Sequence, residues 1–84
     1  MIYGRTGNRV TIQRLATLED VKALEGRKPD KQDRQAIAND SYVVVSDEDG
    51  TLRLYHITYL RADNGAVEIG AVIDACIANG GRAP

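Results

Sequence analysis

The stretch from residue 42 to residue 60 most constrains the fold, because it predicts a β-hairpin with apolar side chains on both faces. One face of its second strand carries Leu52, Leu54, His56, Thr58 and Leu60. The other face carries Arg53, Tyr55, Ile57 and Tyr59. Successive strand side chains point to opposite faces, so this sheet needs a cover on each side. A chain of 84 residues has little material for two covers, and this predicts a partner.

The length and composition predict a single domain over residues 1–84. Hydrophobic residues make up 43% of the chain and charged residues 27%, which argues against wholesale disorder. The sequence has no Phe and no Trp, so the core must be built mainly from Val, Ile, Leu and Ala.

The single cysteine, Cys76, excludes an internal disulfide and gives no sign of an oxidising compartment. No apolar run has the length of a signal peptide or approaches the roughly 20 residues of a membrane span. We therefore expect a cytoplasmic protein that does not associate with membranes.

The charge is unevenly spread along the chain. Residues 1–34 hold eight Lys and Arg against five acids, a net +3. Residues 35–84 hold three Arg against seven acids, a net −4. Such asymmetry either steers a partner or pairs the two halves within one fold.

The first half of the chain predicts strands followed by two helices. Residues 9–15 alternate apolar and polar side chains, as in a half-buried strand. Residues 2–3 are a candidate for a further short strand. Thr17 is a suitable N-cap for a helix that Gly26 ends. Asp30 is a suitable N-cap for a second helix over roughly 31–39.

The turn of the hairpin allows two registers. A two-residue loop of Asp49 and Gly50 would pair Val45 with Leu54 and Val43 with His56. A three-residue loop over 48–50, with Gly50 in the left-handed region, would pair Val44 with Leu54 and Tyr42 with His56. The sequence does not distinguish them.

Residues 66–79 predict a last helix, because apolar residues recur there at spacings of three and four. The stripe consists of Ala66, Ile69, Val72, Ile73, Cys76 and Ile77. The predicted fold is therefore α+β, in the order β-α-α-β-β-α. Its small antiparallel sheet is built on the central hairpin, with an N-terminal strand and about three helices.

Five residues of the hairpin form the candidate interface or ligand surface: Tyr42, Tyr55, His56, Ile57 and Tyr59. Tyrosine favours interfaces because its ring is apolar and its hydroxyl is polar. His56 is the single histidine, and no spacing of His, Cys or acidic residues matches a metal site or a catalytic pair. We expect a structural His56, no catalytic residue, no metal and no cofactor.

The prediction for function is a small non-enzymatic binding or protein-interaction module that forms a homo-oligomer, with another protein as a further possible partner. A small-molecule-binding protein is one alternative. A second is suggested by the element order, which resembles the winged helix-turn-helix and implies a base-reading helix beginning at 31–35. The acidic tip Asp47-Glu48-Asp49 would repel phosphate at the position of the wing, so nucleic acid is the less favoured partner.

Overall fold

The computed structural model describes residues 1–84 and contains five strands, three α-helices and one 3₁₀ turn. The strands are β1 (Ile2–Tyr3), β2 (Arg9–Leu15), β3 (Tyr42–Asp47), β4 (Leu52–His56) and β5 (Arg61–Ala62). The helices are α1 (Leu18–Glu25), α2 (Lys31–Ala38) and α3 (Ala66–Ala78). The 3₁₀ turn, Ile57–Tyr59, links β4 to β5.

Both short helices begin at capping boxes. The Thr17 hydroxyl accepts a hydrogen bond from the Asp20 N–H, and the Asp20 carboxylate accepts one from the Thr17 N–H at 2.9 Å. Asp30 and Asp33 repeat this reciprocal arrangement at the start of α2. Each box satisfies two N–H groups that a helix N-terminus leaves free, and both predicted caps are confirmed.

The five strands form one antiparallel sheet in the order β4-β3-β2-β1-β5, which confirms the α+β class. Val44 pairs with Leu54 and Tyr42 pairs with His56 across the hairpin. Gly50 adopts φ 84°, a left-handed conformation that a glycine accepts without strain. The three-residue loop is therefore the register that forms.

Helices cover both faces of the sheet. Val43 and Val45 lie in the core beneath α3, together with Ile69, Ile73 and Cys76. Val44 points to the opposite face, where Val21 of α1 and Ala36 of α2 are also buried. The chain thus covers both faces of β3 itself, whereas Leu52 of β4 remains 42% exposed.

The expectation of a partly uncovered sheet face is wrong at β3, where Val43, Val44 and Val45 are all 0% exposed. Two eight-residue helices, α1 and α2, are enough to bury Val44 on the second face.

The second hairpin strand ends earlier than the sequence predicts. β4 stops at His56, whose ring accepts a hydrogen bond from the Thr58 N–H and so caps the 3₁₀ turn. The alternation of side chains is lost beyond this point. Leu60, predicted to share a face with Leu54, instead joins the core under α3.

The predicted stripe of α3 is buried in its middle and exposed at its ends. Ile69, Ile73 and Cys76 are buried, whereas Ala66 and Ile77 are exposed. None of the three helices is long and apolar enough to cross a lipid bilayer.

Candidate functional site at the outer edge of the hairpin

β4 is an edge strand, since no strand lies on its outer side. The Asp47 N–H donates to the Thr51 carbonyl and the Ile57 N–H donates to the Ser41 carbonyl, so odd-numbered residues face β3. The backbone groups of Leu52, Leu54 and His56 therefore point outward. None of the turn, loop or cap hydrogen bonds uses these groups. An edge of this kind is a template for another strand.

A cleft of about 200 Å³ lies beside this edge. It is lined by Arg5, Glu25, Tyr42, Leu54, Tyr55, His56 and Tyr59. The structure thus brings four of the five predicted interface residues to one place. Ile57 is the exception, because it packs against the core and lines a different groove.

Tyr42 is held in the cleft wall by a buried carboxylate. Its hydroxyl donates a hydrogen bond to Asp33 at 3.0 Å. Burial, and then the neighbouring Asp33 charge, raise the pKa of the Tyr42 phenol above its usual value. The phenol therefore stays neutral, and Tyr42 lines the cleft.

Asp33 is only 1% exposed, and its carboxylate accepts four hydrogen bonds within the protein. Arg27 donates two of them, at 2.5 and 2.9 Å, and the Asp30 N–H and the Tyr42 hydroxyl donate the others. The Arg27 guanidinium is the main reason that the pKa of Asp33 lies well below its usual range. This cluster fixes Tyr42 and links α2 to β3.

The cluster of Arg27 and Asp33 was not predicted from the sequence. Asp33 follows its N-cap Asp30 by three residues, the spacing of a capping box, and that spacing was the available signal. Asp33 is buried, whereas most of the other polar residues of α2 are exposed.

His56 is oriented by Thr58 and Tyr42. The Thr58 N–H donates to Nδ1 at 3.3 Å, and the Thr58 Oγ1 lies 2.8 Å from the same nitrogen. The Tyr42 and His56 rings meet edge to face, with centroids 5.5 Å apart. These two contacts are consistent with a structural role for His56, as the cap of the 3₁₀ turn and the neighbour of Tyr42.

Tyr55 and Tyr59 differ in their surroundings. Tyr55 is half-buried and packs against the core under α3. It also lies so close to Gly4 that a Cβ there would approach the phenol oxygen to 2.8 Å. Tyr59 is 49% exposed, with the Arg5 guanidinium 5.1 Å from its ring centre. Tyr59 is therefore the more accessible of the two.

The two ends of the edge carry opposite charge. Glu48 and Asp49 lie in the exposed turn before β4, and neither takes part in an ion pair. Arg5 and Arg61 lie near the other end, beside Tyr59 and the 3₁₀ turn. The edge therefore has a direction, acidic at its start and basic at its end.

The site offers backbone groups, aromatic rings and charges for binding. No three His, Cys, Asp or Glu side chains come together in a way that would hold a metal ion. Cys76 is fully buried, and burial raises the pKa of its thiol, which disfavours a reactive thiolate.

Comparison with models of protein families, with curated protein sequences and with solved structures found no match to this chain.

Proposed function

We propose that this protein is a non-enzymatic interaction module that self-associates by pairing β4 with β4 of a second copy. The observation that carries the proposal is the unpaired outer side of β4. Joining two such edges satisfies backbone groups on both copies and extends the sheet across the interface. Two-fold pairing of identical surfaces is the commonest form of self-association.

Antiparallel pairing centred on Leu54 uses the whole strand. Leu52, Leu54 and His56 present their backbone groups outward, so Leu54 would pair with itself and Leu52 with His56 of the second copy. Arg53 would then stand opposite Tyr55, a pairing in which the guanidinium packs against an aromatic ring.

One of the two neighbouring registers is centred on Arg53. It would set the Arg53 side chains of the two copies directly opposite each other, and like charges in that position destabilise a strand pair. The register centred on Leu54 avoids this repulsion.

The charges at the two ends of the edge favour the same arrangement, because the two arginines at the basic end outnumber Glu25, the acid that lines the cleft there. With Leu54 at the centre, the turn before β4 of one copy points toward the 3₁₀ turn of the other, where the Arg5 guanidinium lies over the Tyr59 ring. The acidic turn of each copy thus meets the basic end of its partner. This complementarity selects antiparallel over parallel pairing.

The test is light scattering across a concentration series for the native chain, Leu52→Lys and Val67→Lys. We expect the native mass to rise from 9.2 kDa toward twice that value. Leu52→Lys should stay monomeric, because a lysine on an edge strand opposes pairing. Val67→Lys, at an exposed position on α3, is the matched control and should dimerise like the native chain.

A native mass near 9.2 kDa at every concentration contradicts the proposal. Dissociation by Val67→Lys, with no effect of Leu52→Lys, would place the interface on α3 instead. The register is tested by oxidative cross-linking of Leu54→Cys and of Arg53→Cys. Self-paired residues with Cα atoms about 5.5 Å apart are within the range of a disulfide, so Leu54→Cys should cross-link faster.

A further inference from the structure

A groove of about 620 Å³ runs along α3, distinct from the edge of β4. One wall is α3 from Ala66 to Ile77. The other consists of the 3₁₀ turn, the start of β5 and the α2–β3 corner at Asn39 and Asp40. Leu60, Ile69 and Ile73 are among its apolar lining residues. The groove has the size of a binding site, yet it is open to solvent on one side.

Gly70 contributes to the depth of the groove. A glycine inside a helix costs about 1 kcal/mol relative to alanine. A Cβ at position 70 would meet no atom within 4 Å, so no close packing within the chain requires a glycine there. The space beside Gly70 is open, and a side chain of a bound molecule can enter it.

α3 is also apolar on the sides that its own chain leaves open. Val67 is 80% exposed and Ile77 is 50% exposed, and Glu68 and Asp74 are its only charged residues. A helix that is hydrophobic nearly all round is normally buried. The exposed part of α3 therefore has the character of a helix with one neighbour missing.

The charges on the rim indicate the chemistry of that neighbour. Asp40 lies on one wall and Asp74 on the other, and the carboxylate of neither forms an ion pair or a hydrogen bond. Arg61, the cation of the rim, donates to the carbonyl groups of Thr58 and Leu60. Two carboxylates against one guanidinium give the rim a net charge of −1, which favours an occupant that carries a positive charge.

We infer that this groove binds an amphipathic helix of a partner protein, with a Lys or Arg between its apolar anchors. The wall from Ala66 to Ile77 is roughly 17 Å long, the length of about three helical turns. Helix-in-groove recognition uses anchors spaced over this distance. A partner helix is favoured over a small molecule because the groove is open along one side.

The probes are fluorescein-labelled, hydrocarbon-stapled peptides of about three helical turns with Leu anchors at i, i+3 and i+7. One peptide has Lys at the polar position between the anchors, and the other has Glu. Fluorescence anisotropy measures their affinity for the full chain. We expect the Lys peptide to bind at least about tenfold tighter than the Glu peptide, a difference of about 1.4 kcal/mol.

The variants are Gly70→Leu, Ala71→Leu, and Asp40→Asn combined with Asp74→Asn. Gly70→Leu should abolish binding with no loss of thermal stability, because it fills the groove and removes a helix-weakening glycine. Ala71→Leu adds the same side chain at a position that does not line the groove, and should bind normally. The double variant should reduce the preference for Lys over Glu.

Failure of both peptides to bind at millimolar concentration overturns the inference, as does unchanged binding by Gly70→Leu while the fold is intact. Equal affinity for the two peptides would contradict the inference that the partner helix carries a Lys or Arg between its anchors. Loss of self-association in Gly70→Leu would identify a second copy as the occupant instead. Leu52→Lys should leave peptide binding intact, so the groove and the β4 edge are tested independently.

Discussion

Asp33 shows how one side chain can hold several elements in place. Both carboxylate oxygens are fully used, by two N–H groups of Arg27, the Asp30 N–H and the Tyr42 hydroxyl. A carboxylate only accepts hydrogen bonds, and all four neighbouring groups, from three residues, are donors. The position therefore requires a group with two acceptor oxygens.

Asp33→Asn is predicted to destabilise the fold by about 1.5–3 kcal/mol, the range for hydrogen bonds to a charged group. The amide would turn an NH₂ group toward at least one donor. Chemical denaturation measures the loss. Asp30→Asn, which keeps an N-cap acceptor at a more exposed residue, is the control and should cost much less. An equal loss of stability in the two variants would show that the buried hydrogen bonds of Asp33 contribute no more than the exposed cap at Asp30.

Stability is also predicted to fall in acid. The pKa of Asp33 is lowered in the folded state, so the unfolded chain takes up its proton first, near the usual value of 3.8. At Asp20, burial raises the pKa of the carboxyl group. The hydrogen bonds from the Thr17 N–H and from Arg14 outweigh burial, so the pKa of Asp20 is also lowered. The stability that these two ionised carboxylates provide is complete above about pH 5 and is lost as the pH falls through their folded pKa values.

The measurement is the unfolding free energy between pH 6 and pH 2, for the native chain and for Asp33→Asn. We expect the decline below about pH 4 to be shallower in the variant, since one of the linked carboxylates is gone. Parallel curves would refute the role assigned to Asp33.

At the scale of elements, α3 supplies most of the helical side of the core. Ile73→Ala should cost about 2–5 kcal/mol, because the side chain is buried and its removal leaves a cavity. Ile77→Ala, in the same helix but half-exposed, should cost less than half as much. Denaturant midpoints of the two variants give the comparison, and a loss below about half a kcal/mol for Ile73→Ala would exclude a core role.

The sequence predicted those elements whose signals are local. Thr17 and Asp30 mark helix starts by their own chemistry, and the period of α3 is visible in its composition. The end of β4 was misplaced, because the cap that His56 provides depends on one hydrogen bond to Thr58. β5 was missed, since its two residues become a strand only by pairing with Ile2 and Tyr3.

The candidate site was predicted in part for the same reason. Tyr42, Tyr55, His56 and Tyr59 were found because aromatic residues stand out in a sequence. Arg5 and Glu25 also line the cleft, but they come from distant parts of the chain and have no local signal. The free outer side of β4 is a property of the strand order, which the sequence did not determine.

At the scale of the whole molecule, the uneven charge bears on the nucleic-acid alternative. Lys31 and Arg34 are exposed on α2, whereas the hairpin turn is acidic. We expect binding to labelled duplex DNA to be weak and to vanish at physiological salt, because few cations face one way. Fluorescence anisotropy over a salt series tests this. Sequence-specific binding that Arg34→Ala abolishes would promote the winged-helix alternative over the interaction module.

The strand order also sets which part of the fold opens first. β5 is tied to the sheet only through β1, by two residue pairs that join positions some sixty residues apart along the chain. Segments with so few bonds exchange their amide hydrogens through local unfolding, well before the global transition. β3, bonded on both sides and fully covered, should exchange last. Because Arg61 and Ala62 line the α3 groove, we expect a helix bound there to slow the opening of β5.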